Sequence, residues 1–375
     1  MGDGSSGLEL RSIVTADGKL VLSLEDVTLP DPGPDEIVVR VEGAPINPSD
    51  LGLLLGPADL ATLRASGSAE RPVLTFDVPP ARMATVAARV GESMPVGNEG
   101  AGTVVRAGAD VSHLEGKKVG MIGGGMYTQF RKLAARDCAI IPDDASAADG
   151  ASMFVNPLTA LGFVETMRAE GHTAIVHTAA ASNLGQMLHR ICHADGIPLV
   201  NVVRGEASAA LLRSLGAAYV IDSSLPDFET TLTDAIVATG ATLGFDAIGG
   251  GKLAGQILAA METAANRTPG TYNRYGSTTF KQLYIYGALD LGPTILNRTF
   301  GFSWSLSGWL LFPFLQKAGA EVAARLRQRV VDELTTTFSS HYTATIGLAE
   351  ALNPEVLMAY QRKATGEKYL IDPSR

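Results

Sequence analysis

The sequence predicts a two-domain α/β protein in which an all-β unit is joined to a unit built on a doubly wound parallel sheet. The chain of 375 residues exceeds the size that one hydrophobic core serves. Short apolar runs separated by Pro, Gly and Asp fill the first part, whereas strands alternate with helices of 3.6-residue period from His172 onward. We expect residues 1–150 to form the first unit, 151–334 the second, and 335–375 to complete the first.

Composition narrows the class of protein. A formal charge of −9 argues against nucleic acid or an anionic membrane as a partner. With only Cys138 and Cys192, the chain builds no disulfide framework, and the opening residues lack the basic start and apolar block of a secretory signal.

The apolar stretch 300–315 is shorter than the roughly 20 residues of a spanning helix and predicts a buried or interface segment. We expect a cytoplasmic enzyme or binding protein.

Most of the first unit has the pattern of strands. Residues 36–41 alternate after a Pro-rich turn, and Lys368–Ile371 predicts a strand that returns to this unit. Between Ala58 and Ser93 the strand pattern is lost. That segment predicts an inserted excursion with a helix over 58–65.

The second unit has the pattern of parallel βαβ units. A helix after the first strand places apolar side chains on one face at 184, 187, 188, 191 and 192, and a charged helix follows Gly319 to about Leu334. The predicted strands cover residues 173–177, 199–203, 219–221, 244–248 and 282–286.

Between the first strand and its helix lies a turn of small residues that ends in a glycine. Its candidate cofactor contacts are Ala180, Ser182, Asn183, Leu184 and Gly185. Small side chains let a pyrophosphate approach the backbone N–H groups at the start of a helix. Only one of the three glycines of the dinucleotide fingerprint is present, so a strand-to-helix turn without a ligand remains an equal alternative.

The residue at the end of the second strand favours a phosphorylated nucleotide. In dinucleotide folds the position about 20 residues beyond the last glycine meets the adenosine ribose, and here it is Arg204. A guanidinium pairs a 2′-phosphate through two N–H groups, whereas an acid accepts the 2′-hydroxyl. The sequence therefore favours NADP(H) over NAD(H), although an exposed arginine is common at a strand end.

Five segments together resemble the zinc-free quinone oxidoreductase branch of the medium-chain dehydrogenase/reductase superfamily. They are Ile46-Asn47-Pro48-Ser49-Asp50, Gly97-Asn98-Glu99-Gly100-Ala101-Gly102, Tyr127-Thr128-Gln129-Phe130, Asn156-Pro157-Leu158-Thr159-Ala160 and the βαβ segment 177–222. The resemblance extends to about Gly287. It implies a GroES-like β-barrel domain, a Rossmann domain and an active site in the cleft between them, and by analogy a homodimer.

The resemblance also implies site residues. Asn47 and Asp50 would shape the substrate side, Asn156 and Thr159 would lie near the nicotinamide or its phosphates, and Tyr127 would donate a proton or stack on a ring. Asp246 and Gly249 resemble the loop that passes the nicotinamide ribose. Structural alternatives remain open: Asn47 could make a turn, Asp50 could cap a helix and Tyr127 could be a packed strand residue. Gly249–Gly251 could form a flexible turn.

The resemblance also bears on metal binding. Zinc-dependent relatives place a cysteine and a histidine where this chain has Asn47 and Asn98, and amides are poor zinc ligands. A second candidate cluster, His189, Cys192 and His193, divides between two faces of one helix, which argues against three-ligand coordination. We expect no metal.

The resemblance implies a reaction with an already electrophilic acceptor. Without a Lewis acid, NADPH-dependent hydride transfer to a quinone or an α,β-unsaturated carbonyl is easier than alcohol oxidation. The family's tyrosine after the Asn-Pro motif is missing from residues 51–61. The alternative is a catalytically weak NADPH-binding regulatory protein of the same fold.

Overall fold

The computed structural model describes residues 5–267, 273–362 and 367–375. The chain divides into two compact units. Unit 1 comprises Met1–Val155 with Arg327–Arg375, and unit 2 comprises Asn156–Leu326.

The strands are β1 Ser6–Val14, β2 Lys19–Thr28, β3 Glu36–Pro45, β4 Asp59–Gly67, β5 Pro72–Asp77, β6 Met94–Pro95, β7 Glu99–Ala107, β8 Lys118–Ile122, β9 Phe130–Ala134, β10 Cys138–Ile140, β11 Ile175–His177, β12 Leu199–Val203, β13 Tyr219–Asp222, β14 Leu243–Asp246, β15 Gly249–Gly251, β16 Lys281–Ile285, β17 Asp290–Thr294, β18 Trp304–Gly308, β19 Ala344–Ile346 and β20 Tyr369–Ile371. The α-helices are α1 Asp50–Leu54, α2 Pro80–Met83, α3 Ala147–Gly150, α4 Val155–Ala169, α5 Asn183–Asp195, α6 Glu206–Ser214, α7 Phe228–Thr239, α8 Leu253–Arg267, α9 Leu311–Ala318, α10 Ala320–Asp332, α11 Leu348–Ala351 and α12 Pro354–Tyr360. Short 3-10 helices cover Ala84–Arg89, Ala109–Leu114 and Ala135–Asp137.

Unit 1 is built on two largely antiparallel sheets. One has the strand order β4-β5-β2-β1-β6, and the other has the order β10-β8-β7-β3-β20-β19, with β9 also paired to β3. Apolar side chains of alternating positions, such as Leu20, Leu22 and Leu24 of β2, are buried in its core. The predicted strand at Lys368–Ile371 is present as β20, which pairs antiparallel with β3.

The predicted helix over 58–65 is wrong. This segment forms β4, which pairs antiparallel with β5, and β5 in turn pairs with β2. Leu74 and Phe76 of β5 are buried, so the segment does carry a short strand alternation. Ala and Leu favour a helix locally, but the hydrogen bonds and burial offered by a neighbouring strand override such weak preferences.

Unit 2 contains a six-stranded sheet with the order β13-β12-β11-β14-β16-β18, in which every neighbouring pair is parallel. The predicted strands correspond to β11, β12, β13, β14 and β16, and the first predicted helix corresponds to α5. As its spacing predicts, α5 buries Leu184, Met187, Leu188 and Ile191. The order reverses between β11 and β14, and open sheets of this kind bind ligands at the carboxyl ends of the strands beside such a reversal.

The apolar stretch 300–315 contributes β18 and the start of α9. Phe300 and Trp309 are buried, whereas Phe302, Leu310 and Phe312 are exposed. Among the described residues, no helix combines the length and the apolar character needed to cross a membrane.

Candidate functional site

The turn after β11 is tight and brings the start of α5 close to the strand, although it lacks two of the fingerprint glycines. Ala179 has φ of +50°, and among the described residues no other non-glycine residue has a positive φ. Ser182 caps α5, because its Oγ accepts the N–H of Gly185 at 3.2 Å. A Cβ on Gly185 would lie 2.1 Å from the carbonyl oxygen of Ala180. The chain therefore retains the tight turn and the close approach of helix to strand that two fingerprint glycines normally permit.

The turn lies beside a hydrogen-bonded group at the carboxyl end of β14. The Thr178 hydroxyl donates to Asp246 at 2.7 Å and accepts the N–H of Ala247 at 2.8 Å. Asp246, which is fully buried, also accepts the N–H groups of Ile248 at 3.0 Å and Gly249 at 3.1 Å. Asp246 thus fixes the loop that follows β14. Sequence reasoning missed Thr178, whose partner is 68 residues away.

The glycine run after this loop is a strand rather than a flexible turn. Gly249–Gly251 forms β15, which pairs with β17. A Cβ on Gly250 would lie 2.6 Å from the carboxyl carbon of Asp290. The glycines therefore serve close strand packing.

Arg204 is exposed and directly follows β12. The next residue, Gly205, has φ of +89° and donates its N–H to Asp222 at 2.9 Å. Asp222 also accepts the N–H of Ser224 at 2.9 Å, and these backbone hydrogen bonds lower the pKa of its carboxyl. This carboxylate, which sequence reasoning did not identify, holds the loop that carries Arg204.

Asn156 and Thr159 lie three residues apart in α4, which places them on neighbouring positions of one helix face. Thr159 is buried, and Asn156 is partly exposed.

Unit 1 brings together three of the predicted site residues, Asn47, Asp50 and Tyr127. Asp50 accepts the N–H groups of Asn47 and Asn98, each at 2.8 Å. Burial raises the pKa of Asp50 to about 7 in spite of these hydrogen bonds. Tyr127 is fully buried and donates its hydroxyl to the carbonyl of Pro45 at 3.1 Å. Its hydroxyl also interacts with Asp50, so both the packing role and the proton-donor role predicted for Tyr127 stay open.

A second buried carboxylate, which belongs to the motif 97–102 but was not predicted as a site residue, adjoins Asn47. Glu99 accepts Nδ2 of Asn47 at 2.8 Å and the N–H groups of Phe154 and Val155 at 2.9 and 2.8 Å. Burial raises the pKa of Glu99, while the charge of Lys368 opposes this shift. Among the described residues, Oδ1 of Asn47 has no hydrogen-bond partner.

The side chains considered for metal binding have other partners. Asn47 donates its amide to Glu99, and Asn98 donates Nδ2 to Ser49 at 3.0 Å. His189 contacts the carbonyl of Leu215 through Nε2 at 3.0 Å. In the described parts of the chain, no three side chains of His, Cys, Asp or Glu are grouped as metal ligands would be.

No protein-family model matches the chain. The mitochondrial enoyl-acyl-carrier-protein reductase of Xenopus tropicalis is 32% identical over 212 residues, which cover 54% of this chain and 52% of that protein. The human enzyme of the same name is 27% identical over 210 residues, which cover 54% of this chain and 48% of that protein. The chain thus spans about half the length of the curated relatives it matches.

Solved structures match over nearly the whole chain. A candidate NADPH:quinone reductase from Mesorhizobium loti has a TM-score of 0.72 at 25% identity, and the match covers 100% of both chains. The Escherichia coli quinone oxidoreductase, solved in complex with NADPH, has a TM-score of 0.66 at 19% identity and covers 98% of this chain and 100% of its own.

The chain has the fold of the medium-chain dehydrogenases/reductases, in which a GroES-like unit is joined to a Rossmann unit. Among proteins with this fold, the chain is similar to NADPH:quinone reductases and to enoyl reductases. The fold class and the resemblance inferred from the sequence are thereby confirmed.

Proposed function

We propose that the protein is an NADPH-dependent oxidoreductase that reduces a quinone or an α,β-unsaturated carbonyl compound without zinc. The proposal rests on the turn 178–185. The left-handed backbone of Ala179 and the absence of a side chain at Gly185 leave the amino end of α5 open. This helix end lies where the strand order of the sheet reverses. Backbone N–H groups at such a helix end attract a pyrophosphate. The names of the relatives, which include enoyl reductases and quinone reductases, agree with both acceptor classes.

The residues of unit 2 fit such a cofactor. The start of α5 from Ser182 to Gly185 would hold the pyrophosphate, and Arg204 would pair the 2′-phosphate. The Asp246 loop with Gly249, together with Asn156 and Thr159, would border the nicotinamide end. When bound, NADPH supplies the hydride. In unit 1, Asn47 and Asp50 would shape the acceptor side and provide polar groups for the oxygen that gains charge.

Steady-state oxidation of NADPH tests this proposal. The acceptor panel contains a benzoquinone, a simple enone and an enoyl thioester, each assayed with NADPH and NADH. We expect turnover with at least one acceptor, and Arg204→Ala should raise the KM for NADPH at least tenfold and leave NADH unchanged, because a charged hydrogen bond contributes about 1.5–3 kcal/mol. The matched control is Arg213→Ala, which removes an exposed arginine paired with Glu206.

The alternative, a catalytically weak NADPH-binding regulatory protein, has its own supporting observation. Tyr127, the tyrosine considered as a proton donor, is fully buried, and its hydroxyl is already engaged by the carbonyl of Pro45 and by Asp50. NADPH binding can be measured by the quenching of tryptophan fluorescence. Tight binding without turnover of any acceptor in the panel would favour this alternative. Absence of NADPH binding would exclude both functions.

Independence from zinc is proposed from the amides at 47 and 98. Metal analysis after gel filtration should find less than one zinc per ten chains in active protein. Stoichiometric zinc, with activity lost to a chelator, would refute this part of the proposal.

We also propose that the protein is a homodimer that associates through unit 2. Large apolar side chains are exposed along residues 289–312, including Leu291 at 87% and Phe302 at 77%, and β18 lies at the edge of its sheet. Such surfaces and edges favour association with a second copy. Leu291→Glu combined with Phe302→Glu should give a monomer in sedimentation, whereas Leu225→Glu, at a separate exposed position, should not. A monomeric parent protein would refute the proposal.

The proposed location is the cytoplasm. Cys138 and Cys192 form no disulfide, as a reducing compartment allows. Because curated relatives are mitochondrial enzymes, cell fractionation is the appropriate test, and recovery with mitochondria would contradict this location.

A further inference from the structure

A buried histidine and a tyrosine are paired at the carboxyl edge of the unit 2 sheet. His177 is the last residue of β11, and Tyr286 directly follows β16. Nε2 of His177 lies 2.8 Å from the hydroxyl oxygen of Tyr286. His177 is fully buried, and its Nδ1 has no hydrogen-bond partner among the described residues.

The pair lies where the proposed cofactor would present its redox end. Strands β11, β14 and β16 are parallel neighbours, so their carboxyl ends meet at one edge of the sheet. Arg204 follows β12, on the far side of β11 from β14 and β16. If Arg204 meets the adenosine end of the nucleotide, Tyr286 is placed toward the opposite end.

The position of the single proton on the His177 ring determines whether His177 or Tyr286 donates the hydrogen bond. Burial lowers the pKa of His177 to about 3, so the ring is neutral and carries a single N–H. A buried N–H without an acceptor is rarer than a buried acceptor without a donor, so the proton belongs on Nε2 rather than on the unpartnered Nδ1. Tyr286 then accepts from His177, and its own hydrogen is left to point elsewhere. Burial raises the pKa of Tyr286, which keeps that hydrogen in place.

Aromatic packing holds the tyrosine in one position. The Tyr286 ring lies nearly parallel to the His177 ring, with the two ring centres 5.8 Å apart, and it makes an edge contact with Phe163 with ring centres 4.7 Å apart. Phe163 in turn contacts Phe245 and Trp309. A donor fixed in this way needs little reorganisation when an acceptor arrives.

We propose that Tyr286 donates a hydrogen bond to a carbonyl oxygen at the redox end of the nucleotide crevice, and that His177 is a positioning residue that orients the tyrosine hydroxyl. The inference rests on the proposed function and adds a donor that the sequence motifs did not provide. The carbonyl oxygen belongs either to the carboxamide of the nicotinamide ring or to the acceptor substrate.

The central variant is Tyr286→Phe, which removes the hydroxyl and keeps the ring. We expect kcat/KM for the acceptor to fall at least tenfold. If the oxygen belongs to the acceptor, kcat falls and the Kd for NADPH is unchanged; if it belongs to the carboxamide, the Kd for NADPH rises by a similar factor. The matched control is Tyr284→Phe, two residues earlier in β16, where the hydroxyl donates to Glu170 and accepts from Gln282.

Variants of His177 separate positioning from packing. His177→Gln retains an N–H group that can reach Tyr286 and should retain most of the activity, whereas His177→Leu should lose as much as Tyr286→Phe. In the Tyr286→Phe background, His177→Leu should cause no further loss of kcat/KM. Equal loss in the Gln and Leu variants, or additive losses in the double variant, would overturn the positioning role.

The outcomes also distinguish this inference from the proposed function. A parent enzyme that oxidises NADPH, with a Tyr286→Phe variant whose Kd and kcat/KM match the parent, overturns the inference alone. A parent protein that neither binds nor oxidises NADPH overturns the proposed function and the inference together.

Discussion

At residue 185 the chain requires glycine, because a Cβ there would lie 2.1 Å from the carbonyl oxygen of Ala180. Relief of that overlap must separate α5 from the end of β11. Gly185→Ala should destabilise the protein by about 3 kcal/mol, equivalent to about 6–12 °C in Tm by calorimetry. The control is Gly52→Ala in α1, where a Cβ meets no atom within 4 Å; an equal change in Tm for both variants would contradict the steric argument.

At Ala179, in the same turn, a substitution should have the opposite effect on Tm. A left-handed conformation costs a residue with a Cβ roughly 1–2 kcal/mol, and glycine avoids this cost but loses more entropy on folding. Ala179→Gly should therefore raise Tm by a few degrees. Ala180→Gly, at a fully buried position without a positive φ, should lower it. A lower Tm for Ala179→Gly would show that the backbone strain is absent.

Asp50 should give the stability of unit 1 a distinct pH dependence. Its pKa is raised from 3.8 to about 7, so the folded state binds its proton more tightly than the unfolded state. The resulting stabilisation is fully present below pH 4 and is lost as the pH rises through about 7. The midpoint of urea unfolding for Asp50→Asn, measured against the parent, should therefore shift in favour of the variant between pH 4 and pH 8. A constant difference across that range would show that Asp50 is not the titrating group.

At the scale of secondary-structure elements, a buried ion pair joins α8 to β16. Lys281, which is fully buried, donates to Glu262 at 2.6 Å, and Ser277 donates its N–H and hydroxyl to the same carboxylate. Burial would raise the pKa of Glu262, but the hydrogen bonds from Lys281 and Ser277 outweigh it and lower the pKa to about 2. The pair therefore holds the helix against the strand only while Glu262 is ionised.

Removing the negative charge of Glu262 should lower the stability of the fold at neutral pH. Glu262→Gln leaves a buried ammonium without its counter-ion, a change that typically costs about 3–5 kcal/mol. Because the folded pKa is depressed, the stabilisation is present above pH 4.5 and is lost as the pH falls toward 2, so the difference in Tm from the parent should narrow over that interval. Glu206→Gln, which breaks the exposed pair with Arg213, should change Tm by no more than about 2 °C.

The elements also show which parts of the structure are readable from sequence. Periodicity predicted α5 and the buried strands of unit 2, because a helix face and a doubly covered strand each impose a local pattern. The helix predicted over 58–65 is β4, because the local sequence lacks a strand alternation and only pairing with β5 fixes the conformation. The pair of His177 and Tyr286 is separated by 109 residues, so no local pattern reports it. Glu99 lies within the motif 97–102, but its hydrogen bonds to Asn47, Phe154 and Val155 form only in the folded chain.

For the whole molecule, the proposed cofactor should act as a stabilising ligand. A ligand at 100 times its Kd that binds only the folded protein contributes about 2.7 kcal/mol, so NADPH should raise Tm by about 5–10 °C. The fragment 2′,5′-ADP carries the phosphate that Arg204 would pair and should give a smaller rise, which Arg204→Ala abolishes. Tyr286→Phe should leave the effect of 2′,5′-ADP unchanged, because the fragment lacks the nicotinamide end. An equal rise in Tm with NADPH and NADH at the same concentration would show that Arg204 does not bind the 2′-phosphate. The proposed preference for NADP(H) would then be wrong.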